Sequence, residues 1–112
     1  MASDDLLDGD VRKAAELMKM LASEARLRIL CRLVEGERSV GQLAQDCGVA
    51  QPTMSQQLKR LKDAGLIEGR REAQTVYYRL AGDEVAAVLE TLHTLYCARS
   101  RWPLSTEKGR AT

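Results

Sequence analysis

From Val40 to Cys47 the apolar residues fall at Val40, Leu43, Ala44 and Cys47. That i, i+3, i+4, i+7 spacing predicts a helix with one buried face. Gly48 follows as its stop, because glycine tolerates the left-handed backbone of a C-terminal cap. Pro52 suits the first turn of a second helix, where its missing N–H costs nothing. Met54, Leu58 and Leu61 give this helix an inward stripe, and Gly65 its end. At about 100° per residue the opposite face shows Thr53, Gln56, Lys59 and Arg60, flanked by Ser55 and Gln57 and preceded by Gln51. Leu66 to Arg71 and Thr75 to Leu80 then run or alternate with β-formers, bracketing Glu72-Ala73-Gln74 as a tight hairpin. Arg70, Arg71 and Gln74 sit at or beside its tip.

The flanks predict more helix. Val11, Ala14, Ala15, Met18, Leu21 and Ala22 form a wide apolar face behind Asp10, a suitable N-cap. Ser23 caps a second helix to about Glu35 that buries Leu27, Leu30 and Val34, with Ile29 and Leu33 on its flanks and Gly36 as its end. After the hairpin, Asp83 begins a helix running to about Ser100, with Val85, Val88, Leu89, Leu92, Leu95 and Tyr96 on one stripe and Ala86, Glu90, His93 and Cys97 beside it. The first and last helices carry more apolar face than one small core requires. They are expected to pair across a two-fold axis in a homodimer.

Two short helices joined by a tight turn, the second exposing a basic, hydrogen-bonding face, form a helix-turn-helix. Such a helix fits the DNA major groove, where Gln can pair with adenine and Arg with guanine. A basic hairpin directly after it is a wing. The expected fold is therefore mainly α with a small β-hairpin wing, a winged helix-turn-helix over residues 10–100. Residues 1–9, acidic, and 101–112, which include Trp102-Pro103, are expected to be disordered.

Charge sharpens this picture. The formal net charge of the 112 residues is only +1. Yet residues 51–80 hold six bases against three acids, while the first ten residues hold four acids and no base. A local basic patch is the footprint of phosphate binding whatever the whole-chain charge. Double-stranded DNA is thus the expected partner. No apolar run reaches the length of a membrane helix and no signal-peptide pattern precedes Val11, so a cytoplasmic location is expected. No nucleophile elbow, phosphate-binding glycine loop or paired carboxylates suggest an enzyme, and no cofactor is expected. Three cysteines, an odd number without secretory context, argue against a structural disulfide framework.

The segments KMLASEARLRIL (Lys19 to Leu30) and VGQLAQDCGVAQPTMSQQLKRLKDAGLIEGRREAQTVYYRL (Val40 to Leu80), with the closing helix, resemble the ArsR family of dimeric winged-helix repressors. The resemblance implies binding to inverted-repeat operators and release on sensing a ligand. It also implies base reading by Thr53, Ser55 and Gln56 and wing contacts by Arg71 and Gln74. Where one metal-sensing branch has a Cys-x-Cys pair, this chain has Ser39-Val40-Gly41. Asp83 and His93 do not match the closing-helix spacing of another branch, so no metal site is expected. A metal-responsive repressor stands as the alternative, beside a winged-helix protein-interaction module that senses nothing.

The chain resembles the sulfur-responsive branch, the BigR and SqrR-like repressors, through Cys31 in LRILCRL, Cys97 in TLYCARS and REAQTVYY in the wing. This implies that a persulfide or polysulfide joins Cys31 to Cys97 and frees the operator, with reactive sulfur species as the inducer. Taken alone, both cysteines read rather as small buried hydrophobes, the common fate of a free cysteine. His93 beside Cys97 and Arg28 beside Cys31 are cations that could stabilise a thiolate. A pair slightly too far apart for a disulfide would favour persulfides over peroxide, since each inserted sulfur adds about 2 Å of reach. Cys47, on the stripe of Val40, Leu43 and Ala44, is expected to pack.

Overall fold

The computed structural model describes residues 10–98. The expectations for residues 1–9 and 101–112 fall outside the described residues, as does the side chain of Cys97. Among the described residues, five α-helices and three strands follow in the order α1 (Val11–Leu21), α2 (Glu24–Val34), β1 (Arg38–Ser39), α3 (Val40–Cys47), α4 (Gln51–Asp63), β2 (Ile67–Glu72), β3 (Thr75–Leu80) and α5 (Asp83–Leu92). A π-helical turn, His93–Ala98, continues the last helix.

Local chemistry sets most of these boundaries. Asp10 occupies the N-cap position of α1 without a side-chain cap; its carbonyl accepts from the Ala14 N–H at 2.9 Å. The Arg26 side chain ties down the other end of that helix, donating to the carbonyls of Met20 at 2.9 Å and Lys19 at 3.3 Å. Ser23 caps α2 by accepting from the Arg26 N–H. Ser39 and Gln42 form a capping box at α3, each side chain accepting from the other's backbone N–H at 3.1 and 2.9 Å. Gly48 ends α3 in the left-handed region at φ +70.

Helix α2 is the centre of the molecule, packing against α1, α3, α4, α5 and β3. Its burial phase differs from the expected one. Ile29, Leu30 and Leu33 are buried, whereas Leu27 and Val34 are only partly so. Neighbours on several sides shift the buried arc away from the stripe that periodicity alone selects. Met54, Leu58 and Leu61 of α4 point into the same core, as expected, with Leu43 of α3 and Val85 and Leu89 of α5.

The hairpin belongs to a three-stranded antiparallel sheet in the order β1-β3-β2. The two-residue strand β1 had no signal in the hydrophobic pattern; it pairs Arg38 with Tyr78 and Ser39 with Tyr77. The β2–β3 ladder runs from Ile67 opposite Leu80 to Glu72 opposite Thr75. The turn is therefore Ala73-Gln74 alone, not three residues, with Ala73 at φ +57. Gly69 sits beneath the Tyr78 ring, where a Cβ would lie 3.0 Å from the ring edge.

The closing helix departs from the expected single α-helix. After Leu92 it widens to the i→i+5 bonding of a π-helix, so Leu95 and Tyr96 do not continue the stripe of Val85 and Leu89. They are exposed, at 46% and 71%, as are Val11 at 57% and Met18 at 59% on α1.

Leu30 is fully buried at the contact of α2 with its neighbours. Leu30→Ala is expected to lower the unfolding free energy by about 2–5 kcal/mol, read from urea denaturation.

Candidate functional site

Helix α4 carries its polar face outward because its apolar residues are spent on the core. Gln51, Thr53, Ser55, Gln56, Lys59 and Arg60 are all exposed on it. Its N-cap, Ala50, supplies no side-chain acceptor, and Pro52 lies in the first turn. The free N–H groups there are left to water or to an anion. Gln51 leans back onto α3, its Nε2 passing close to Gly41. Gln57 is turned further in: it is half-buried, and its Oε1 is buried without a hydrogen-bond partner.

The wing places Arg71 and Gln74 in solvent beside its tip. Ion pairing sorts the cations of this surface. Lys59 pairs with Asp63 at 3.2 Å and Arg79 with Glu68 at 2.7 Å. Arg70 is held by two carboxylates, Glu37 and Glu72, each at 2.8 Å. Among the described residues, no ion pair engages Arg60, Lys62 or Arg71. These three carry no counter-ion from the described residues.

A second locality gathers the thiols. A cleft of about 310 Å³ lies between α2, the end of α3 and the start of the π turn. Leu27, Arg28, Cys31, Arg32, Glu35, Asp46, Cys47 and His93 line it. Cys31 is half-buried there. His93 opens the turn whose backbone carries Cys97, so Cys31 and that turn meet at one cleft. Arg28, expected beside Cys31, lines the same cleft and is also engaged by Glu24 at 2.6 Å. Among the described residues, no group of three or more His, Cys, Asp or Glu is arranged to hold a metal ion, and no helix is long and apolar enough to cross a membrane.

Comparison with known proteins places this architecture. Residues 23–68 match the model of the bacterial regulatory protein arsR family. The biofilm growth-associated repressor of Xylella fastidiosa is 43% identical over 89 residues, covering 80% of this chain and 78% of that protein. The chain belongs to the ArsR family. It is a DNA-binding transcriptional regulator of winged helix-turn-helix fold. The solved structure of HlyU from Vibrio cholerae has a TM-score of 0.78 at 46% identity, covering 80% of this chain and 98% of that one. A homodimeric winged helix-turn-helix DNA-binding domain from Mycobacterium bovis, described as a possible ArsR-family regulator, has a TM-score of 0.71 at 36% identity, covering 81% and 84%. All three are named as regulators rather than enzymes.

Within this ArsR-family chain, sequence reasoning missed two features. One is the commitment of Arg70 to carboxylates. The other is that Cys47 opens onto the same cleft as Cys31. The stripe that assigned Cys47 to packing was the available signal, because α3 packs that face on α2. Burial pushes the Cys47 thiol up; Arg32 and Arg28 oppose the shift, and Asp46 adds to it.

A raised thiol pKa leaves less thiolate at a given pH. Iodoacetamide is therefore expected to alkylate Cys47 more slowly at pH 8 in the folded protein than in urea, by peptide mapping. Equal rates would remove the effect of burial.

Proposed function

We propose that the chain is a homodimeric repressor that binds an inverted-repeat operator and releases it when reactive sulfur species crosslink Cys31 to Cys97. The observation that carries the sensing half is the cleft, which opens Cys31 toward the π turn bearing Cys97. A persulfide donor would convert each thiol to a persulfide, releasing its own thiol. Condensation of the two protein persulfides would then form a trisulfide and release hydrogen sulfide. Since α2 packs against α1, α3, α4, α5 and β3, a tie from α2 to the closing helix would reach the DNA-reading helix. An allosteric coupling of about 1–3 kcal/mol already changes affinity about 5–150-fold.

The dimer is supported by the solvated apolar side chains of the first and last helices, Val11, Met18, Leu95 and Tyr96, and by the homodimeric relative. Beside them, α1, the start of α5 and the Ala64–Leu66 bend border a groove of about 720 Å³ with Leu17, Met20 and Val85 in its wall. Repression rather than activation follows the Xylella repressor. The related Vibrio protein is named an activator, so a reporter assay decides the sign.

For DNA, Thr53, Ser55 and Gln56 are proposed to read bases. Gln51, Gln57, Lys59, Arg60, Arg71 and Gln74 would support them from the helix and the wing. On a duplex that the wild-type protein selects from a random-sequence pool, Gln56→Ala is expected to cost about 1–3 kcal/mol, with nonspecific binding unchanged. Equal loss on both would remove Gln56 from base readout.

The sensing chemistry is tested by mass spectrometry after anaerobic treatment with glutathione persulfide. A Cys31–Cys97 peptide pair carrying extra sulfur is expected. Unmodified or randomly modified thiols would defeat the reading while leaving DNA binding intact.

A further inference from the structure

Arg70 stands in the wing of a DNA-binding domain, yet its side chain is turned back onto the protein. Each of its three guanidinium nitrogens already donates. Nε and Nη2 grip the Glu37 carboxylate at 2.9 and 2.8 Å, and Nη1 donates to Glu72 at 2.8 Å. The guanidinium also lies 4.8 Å from the centroid of the Tyr77 ring, a cation–π distance.

The sheet explains why this geometry holds. Arg70 is paired directly with Tyr77 on the central strand, and Tyr77 is paired on its other side with Ser39 of β1. Residues opposite one another share a face, as does a residue two positions along a strand. Glu37 stands two residues before Ser39, and Arg70 reaches it across the aromatic ring. The guanidinium thus joins β2, over the central strand, to the residue that leads into β1. Ser39 is also the N-cap of α3, so the far end of this bridge is the start of the helix-turn-helix. Glu72, at the last ladder pair before the turn, extends the bridge toward the wing tip.

An isolated exposed ion pair contributes little, but a bidentate pair within a network is the exception. A phosphate approaching Arg70 would have to compete with two carboxylates that already neutralise it.

We infer that Arg70 is a positioning residue: with Glu37, Glu72 and Tyr77 it braces the wing against the helix-turn-helix, and it does not contact phosphate. The inference rests on the DNA-binding reading only in its affinity readout. Arg71, its neighbour on the other face of β2, is then left as the phosphate contact of that strand.

The test compares Arg70→Met, Arg70→Lys, Glu37→Gln and the Arg70→Met/Glu37→Gln double variant. Each is measured for binding to the selected duplex over a salt series, and for amide hydrogen exchange without DNA. The brace predicts that all four lose about five- to tenfold in affinity, the double variant no more than either single one. Lysine fails to rescue, because it keeps the charge but not the fork. The slope of log affinity against log salt stays unchanged, and exchange quickens at Ser39 and Tyr77 in every variant. A slope shallower by about 0.9 in Arg70→Met, rescue by Arg70→Lys, or tighter binding by Glu37→Gln would identify a phosphate contact and overturn the brace. Unchanged exchange would overturn it without any DNA. If the wild-type protein selected no duplex, the DNA reading would fail, and the exchange data alone would decide the brace.

Discussion

The described fold is organised around the burial of one helix. α2 places Ile29, Leu30 and Leu33 in the core, at 1%, 0% and 3% exposure, and packs against four helices and the central strand. Interiors at this density cannot deform gradually. A displacement of α2 is therefore shared by the elements that hold α4 and by those that carry the apolar outer faces. Cys31 rides on this helix, one residue after Leu30. A modification there acts on the most connected element in the fold.

The helix-turn-helix was legible in the sequence because its determinants are local. The stripe of Val40, Leu43, Ala44 and Cys47, the glycine at 48 and the proline at 52 each fix a boundary through their own backbone chemistry, and α3 spans Val40–Cys47 as read. The hairpin was legible for the same reason, except at its tip. There Glu72 joined the ladder and left Ala73 to take a positive φ, a conformation that no residue at that position advertises.

What the sequence left hidden was decided between elements. The buried arc of α2 shifted because partners arrive from several directions, a fact absent from its own periodicity. Strand β1 is two residues long and exists because β3 lies beside it. Of the candidate DNA contacts, those whose side chains meet no neighbour, such as Gln56 and Arg60, stayed on the surface where helical phase put them. Arg70 is exposed too, but it is paired with Glu37, which lies 33 residues away in sequence and is brought near only by the sheet. Cys47 was assigned to the correct face, but that face also borders the Cys31 cleft.

The π turn at the end of α5 gives that last helix two distinct outlooks. An ordinary α-helix keeps one phase along its length, so a stripe that serves the protein's own core would go on doing so to the end. Admitting an extra residue per turn resets the phase. Val85 and Leu89 look inward, while Leu95 and Tyr96, on the same rod, look away from the molecule. The helix works as a joint between two surfaces, its first half mortised into this chain and its second half presented to whatever lies beyond it. Any bond made at Cys97 would be formed on the far side of that joint.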